Sequence, residues 1–186
     1  MKKILGYFAL PLLLLLSNSS GNSASQSPGK SPNGETGTRE RLIVAKGTVT
    51  MKVDSNRLKG GDAAAADESK LDTFRFEVSP NSFFTIRRFN DELRGADPGS
   101  MELLWGNSAV LPESLNASSR QLVLERTASG GAYELLIRDG KTGFVFFNIE
   151  GHLYDYDAAA HSLSINGGRL LVSTEFANKL GRPALR

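Results

Sequence analysis

The chain has 186 residues, 40% hydrophobic and 23% charged, with 19 Gly and 7 Pro, a composition that fits one packed domain with tails and excludes wholesale disorder, collagen and coiled-coil architectures. It holds no Cys and two His, which excludes disulfides, thiol nucleophiles, Cys-ligated zinc, iron–sulfur clusters and histidine-rich metal centres. Without Lys2 and Lys3 the 22 basic residues fall to 20, equal to the 20 acidic ones, and such a balanced chain lacks the positive field that grips nucleic acid or anionic lipid.

Those two lysines open the chain, and an apolar run from Ile4 to Leu16 follows. The run is too short for a bilayer core, which needs about 20 residues, and falls within the roughly 7–15 of a signal-peptide core. Small residues from Ser17 to Ser25 supply a cleavage region. Residues 1–24 are therefore expected to be a signal peptide, and the mature chain to be exported, periplasmic or extracellular, with no transmembrane segment. The Met-Lys-Lys start suits a bacterial host, and the lack of Cys rules out lipoprotein processing. Residues 25–40 hold no large apolar side chain and read as a flexible linker; a single domain is expected over 41–182, with a tail at 183–186.

Within the domain, Val49, Met51 and Val53 alternate with Thr48, Thr50 and Lys52, the spacing of a half-buried strand. An alanine-rich loop at 59–70 interrupts the pattern, which resumes with Phe74, Phe76 and Val78. Ser79-Pro80-Asn81 and Asp97-Pro98-Gly99 predict chain reversals. Between and after them, Ser82 to Phe89 and Met101 to Trp105 are dense enough in apolar residues to predict strands covered on both faces or lying at the centre of a sheet. Ser129-Gly130-Gly131 predicts a hairpin loop leading into the alternating Tyr133, Leu135 and Ile137. Asp139-Gly140 and Asn166-Gly167 predict two-residue hairpins. One helix is predicted over 173–180: Ser173 caps it, Glu175 and Lys179 suit its two ends, Phe176 and Leu180 share a face, and Gly181 and Pro183 stop it. So short a helix needs a docking partner. The expected fold is all-β with this one short C-terminal helix, an antiparallel meander forming a β-sandwich.

Candidate chemistry concentrates between Asn148 and Asp157. If Phe144 to His152 is one strand, Asn148, Glu150 and His152 share a face, with Asp155 and Asp157 beyond a bend at Gly151. Glu150, His152, Asp155 and Asp157 form a candidate metal set: carboxylates with an amide oxygen suit calcium, whereas a His with a carboxylate suits zinc or iron; against it, the calcium-loop pattern is unmatched and acids at a strand end are ordinary turn residues, so the expectation is no cofactor, with calcium the alternative. The same four side chains are the candidate machinery of a hydrolase. Trp105, Tyr154 and Tyr156 could stack on a sugar, with Asn148 and Asp155 giving hydrogen bonds; against that, a lone Trp in a β domain packs inside, and Phe74, Phe76, Phe83, Phe84, Phe144, Phe146 and Phe147 read as core. No serine-nucleophile elbow, phosphate loop or dinucleotide fingerprint is present, and Asn116-Ala117-Ser118 is a glycosylation pattern that matters only in a eukaryotic secretory pathway. The expected function is an exported, non-catalytic binding module for a glycan, a surface or an envelope protein, with a secreted hydrolase, or an accessory domain of one, as the alternative.

Overall fold

The computed structural model describes residues 36–59, 71–105, 121–128 and 132–182, together with three short backbone segments at 6–8, 14–15 and 29–30. The cleavage region, the alanine-rich loop from 60 on, the glycosylation pattern at 116–118, the Ser129–Gly131 loop tip and the tail lie outside the described residues. Four short strands come first: β1 (Gly6–Phe8), β2 (Leu14–Leu15), β3 (Gly29–Lys30) and β4 (Thr36–Gly37). Twelve longer ones follow, β5 (Arg39–Ile43), β6 (Thr48–Val53), β7 (Asp72–Val78), β8 (Thr85–Phe89), β9 (Glu92–Ala96), β10 (Gly99–Trp105), β11 (Leu122–Arg126), β12 (Leu135–Asp139), β13 (Val145–Glu150), β14 (Leu153–Asp157), β15 (Ser162–Asn166) and β16 (Gly168–Val172). One helical turn, α1 (Ser55–Lys59), follows β6, and the helix α2 (Thr174–Lys179) follows β16.

The fold is an antiparallel all-β structure, as the alternation predicts. Its main sheet runs β16-β13-β12-β11-β10-β7-β6, and β1 pairs with the free side of β16 and lies against β6, so the sheet is nearly closed. Consecutive strands β10 to β13 form the meander. The chain leaves this sheet for a second layer, once to make β8 and β9 and once to make β14 and β15. There β5-β8-β9 form one three-stranded sheet, and β14-β15 lie beside β9. Between the layers sits a single core that includes Val49, Met51, Phe76, Phe84, Ile86, Leu103, Ile137, Phe147 and Ile165, all buried. Its inward residues are those the two-residue period selects on β6, β7 and β12.

Four local expectations need correction. Asp139-Gly140 is not a two-residue hairpin: β12 and β13 are joined through residues 140–144, because the Asp139 carboxylate accepts the N–H groups of Lys141 and Thr142 and the left-handed position falls at Gly143, φ 78°. Asn166-Gly167 joins strands of different layers rather than a paired hairpin. Strands β8 and β10 both lie inside their sheets, between β5 and β9 and between β11 and β7, as one of the two expectations had it, but each keeps an open face, with Phe83, Arg87 and Leu104 exposed. Phe83 is therefore not core. Strand β5 also starts at Arg39, two residues before the expected domain boundary, where Glu40 is held by Arg88 and the Thr38 N–H by the Asn90 side chain.

Helix α2 matches its prediction closely. Ser173 Oγ accepts the Phe176 N–H at 2.9 Å and donates to the Val145 carbonyl, tying the helix start to β13. Phe176 is fully buried among Phe144, Phe146 and Phe147, with ring centroids 5.3–6.3 Å away and nearly perpendicular. A bulge makes this possible: Ile137 stands opposite Phe147 and Arg138 opposite Val145, so Phe146 is the extra residue, and both neighbouring rings reach the helix.

Candidate functional site

Strands β13 and β16 continue as β14 and β15 in one long two-stranded ribbon, Glu150 facing Arg169 below a corner and Leu153 facing Asn166 above it. Gly151 and Gly167, both at φ 74°, make the corner. Only glycine adopts this backbone region without a Cβ penalty, which is why both strands change layer at the same height. Past the corner, His152, Tyr154 and Tyr156 follow one another on the half-buried side of β14, while Leu153, Asp155 and Asp157 face solvent.

Tyr154 and His152 meet two residues from the β11–β12 hairpin. The Glu134 carboxylate, 41% exposed, accepts Arg126 Nε at 2.8 Å and the Tyr154 hydroxyl at 3.3 Å, and His152 Nε2 lies 3.5 Å from its second oxygen. The His152 and Tyr154 rings are perpendicular at 5.1 Å. Only 7% of the His152 side chain is exposed, and its Nδ1 has no hydrogen-bond partner. Burial lowers the His152 pKa below its ordinary value, aided by the Arg126 charge and opposed by Glu134. Burial, reinforced by the Glu134 charge, pushes the Tyr154 hydroxyl well above its usual value. At neutral pH the group is thus a neutral imidazole, a protonated phenol and an ion pair. Arg126 Nε, the Tyr154 hydroxyl and His152 Nε2 thus converge on the one Glu134 carboxylate, which ties the ribbon to the β11–β12 hairpin at the corner.

One step along β14, the Tyr156 hydroxyl accepts Arg88 Nη1 at 3.2 Å. Arg88 also binds Glu40 and, at 3.1 Å, Asp91. Burial alone would lower the Arg88 pKa, but the hydrogen bond to Glu40 and the charges of Tyr156, Glu40 and Asp91 outweigh it and raise it. Two tyrosine–arginine–carboxylate groups therefore join the ribbon to its neighbours, one to the main sheet and one to β5 and β8.

The remaining candidate residues are divided. Glu150 pairs across the ladder with Arg169 at 2.9 Å. The strand ends at Glu150, so His152 has turned away from the Asn148–Glu150 row instead of sharing its face. Asn148 is half-buried opposite Leu136 and Leu171. Asp155 is exposed, and the Asp157 carboxylate closes the ribbon tip by accepting the N–H groups of Ala159 and Ala160. Among the described residues no three His, Asp or Glu side chains gather as a metal site. Trp105 packs on Phe74 and Phe76 in the main sheet, at 6.2 and 4.9 Å, whereas Tyr154 and Tyr156 belong to the second layer, packed against the core with their hydroxyls bonded.

Outward-facing residues of β5 and β8 make a different surface. Arg41 stands opposite Arg87, and both bind Asp97, at 2.6 and 3.0 Å. Ile43, 49% exposed, stands opposite Thr85, and Phe83, 73% exposed, continues the same outward row. Sequence reasoning missed Phe83, Glu134 and Arg126. The parity of Phe84 and Ile86 would have turned Phe83 outward, but no spacing signal connects Glu134 or Arg126 to Tyr154. No family model matches this chain, and its comparison with curated proteins and with solved structures finds no match.

Proposed function

We propose that the protein is an exported, non-catalytic interaction module that binds a protein partner of the cell envelope or extracellular space. The observation that carries this reading is Phe83: a large aromatic side chain left 73% exposed beside Ile43 and the Arg41–Asp97–Arg87 cluster. Aromatic and arginine side chains of this kind are the usual anchors of protein interfaces. Two further facts support it. Of the carboxylates proposed for a hydrolase, Glu150 pairs with Arg169 and Asp157 closes the ribbon tip, while Asp155 stands exposed on the solvent side of β14, and the aromatics that a sugar platform would need are packed. The basic, apolar and small-residue sequence of the first 24 residues supports export.

A photo-crosslinking amino acid in place of Phe83, expressed in the native host, tests the reading. One discrete crosslinked envelope protein is expected, unlabelled when the crosslinker replaces exposed Asp155 instead. Equal labelling from both positions, or crosslinks to polysaccharide alone, would overturn it.

A further inference from the structure

The main sheet is one strand short of closing on itself, and the strand that fills the space is β1. Its residues Gly6, Tyr7 and Phe8 pair antiparallel with Leu170, Arg169 and Gly168, and the same three residues lie against β6. Residues 6–8 fall inside the apolar run that reads as a removable leader. We propose that the space between β6 and β16 is a strand-acceptor groove, filled by β1 in the precursor and, after the leader is removed, by a single extended apolar segment donated by a partner protein. The inference rests on the exported reading above.

Both edges are fit for pairing. Exposed edge strands are normally blunted by proline, bulges or inward charges. Neither Thr48–Val53 nor Gly168–Val172 contains Pro, and the ladders β6–β7 and β13–β16 run without the register shifts found at β12–β13 and β8–β9. Behind the space the side chains are apolar: Val49, Met51 and Val53 on one edge and Leu170 and Val172 on the other, all buried. An open groove would expose this row and leave two lines of backbone donors and acceptors facing each other, a cost that an added strand removes through main-chain hydrogen bonds. Because one strand touches both edges, the groove is one strand wide; the sheet edge of a second folded copy does not fit between them, and an extended segment does. The chain's own linker is a poor filler, since residues 25–40 hold Pro28 and Pro32 and no large apolar side chain.

The test uses the exported protein purified from its host. Intact-mass measurement first reports whether the leader is gone; a retained leader overturns the exported reading and with it this proposal. For the leader-free protein, a synthetic peptide of residues 4–10 is titrated calorimetrically while amide exchange is followed. Saturable binding is expected, with slowed exchange in 48–53 and 168–172 and at least tenfold weaker binding when Gly6, Tyr7 and Phe8 of the peptide are N-methylated. No binding, or binding indifferent to N-methylation, would overturn the groove while leaving the export reading intact. A concentration-dependent dimer with both edges already protected would assign the groove to a second copy and overturn the partner.

Discussion

Around Phe176 the fold is held mainly by rings: a fully buried side chain meets Phe144, Phe146 and Phe147 edge-on, and a short helix with little stability of its own is fastened to β13, with Ser173 and Glu175 adding hydrogen bonds to Val145. At the corner of the long ribbon the same task, joining one element to another, falls to a carboxylate. Glu134 gathers Arg126, Tyr154 and His152, and two glycines let the backbone turn there. The apolar cap depends chiefly on the volume its rings fill. The polar corner depends on donor–acceptor geometry and on which groups carry protons, and its loss is limited because Glu134 remains partly in water.

That contrast sets the order of expected effects. Phe176→Ala empties the cap and should cost about 3–5 kcal/mol, the range for large aromatic truncations in a core, read as a lowered denaturation midpoint; a loss below about 1 kcal/mol would show that the helix does not hold β13. Glu134→Gln leaves Arg126 and Tyr154 without their charged acceptor. About 1–2 kcal/mol is expected, less than a fully buried charged hydrogen bond because of the carboxylate's exposure, and urea denaturation at low and high salt should find the loss smaller at high salt. Gly151→Ala places a Cβ at φ 74° and should cost roughly 1 kcal/mol, with Gly167→Ala similar, since the corner needs both.

The smallest effect is a pH dependence. His152 has a folded pKa below its ordinary 6.5, so on acidification the unfolded chain takes up a proton that the folded chain refuses. Stability is therefore present above about pH 6.5 and declines as pH falls through the interval down to the lower folded value, below which this contribution levels off. Thermal midpoints measured from pH 7.5 to 5 should show a decline in the wild-type protein that His152→Gln reduces. Identical slopes would remove His152 from the corner's energetics.

The two regions also differ in how far the sequence reveals them. Ser173, Glu175, Phe176, Lys179 and Gly181 sit at helix spacing within nine residues, so the cap, the charges, the buried face and the stop are all local signals, and the structure has each of them. The strands of the meander are legible for the same reason, through alternation over five to seven residues. The corner is not. Tyr154 and Glu134 are twenty residues apart, and Tyr156 and Arg88 sixty-eight; nothing in their neighbours' spacing selects these pairs, because the contact follows from two strands crossing between layers. The same blindness explains why Glu150, His152, Asp155 and Asp157 look like one set along the chain and separate in space: Gly151 rotates the strand between the first and the second, and the alternation of β14 sends the last two outward. Asn90-Asp91, both at positive φ, closes the β8–β9 hairpin and was legible in principle, as two turn-forming residues between two strand-like runs.

In the function we propose, the outer face carrying Phe83 makes the binding contact while the polar corner holds the shape of the fold. Measuring the affinity of the crosslinked partner for Phe83→Ser and for Glu134→Gln, with a denaturation midpoint for each, tests it directly. Phe83→Ser is expected to weaken binding at least tenfold with an unchanged midpoint, and Glu134→Gln to lower the midpoint with binding intact. Binding lost through Glu134→Gln and unaffected by Phe83→Ser would contradict it.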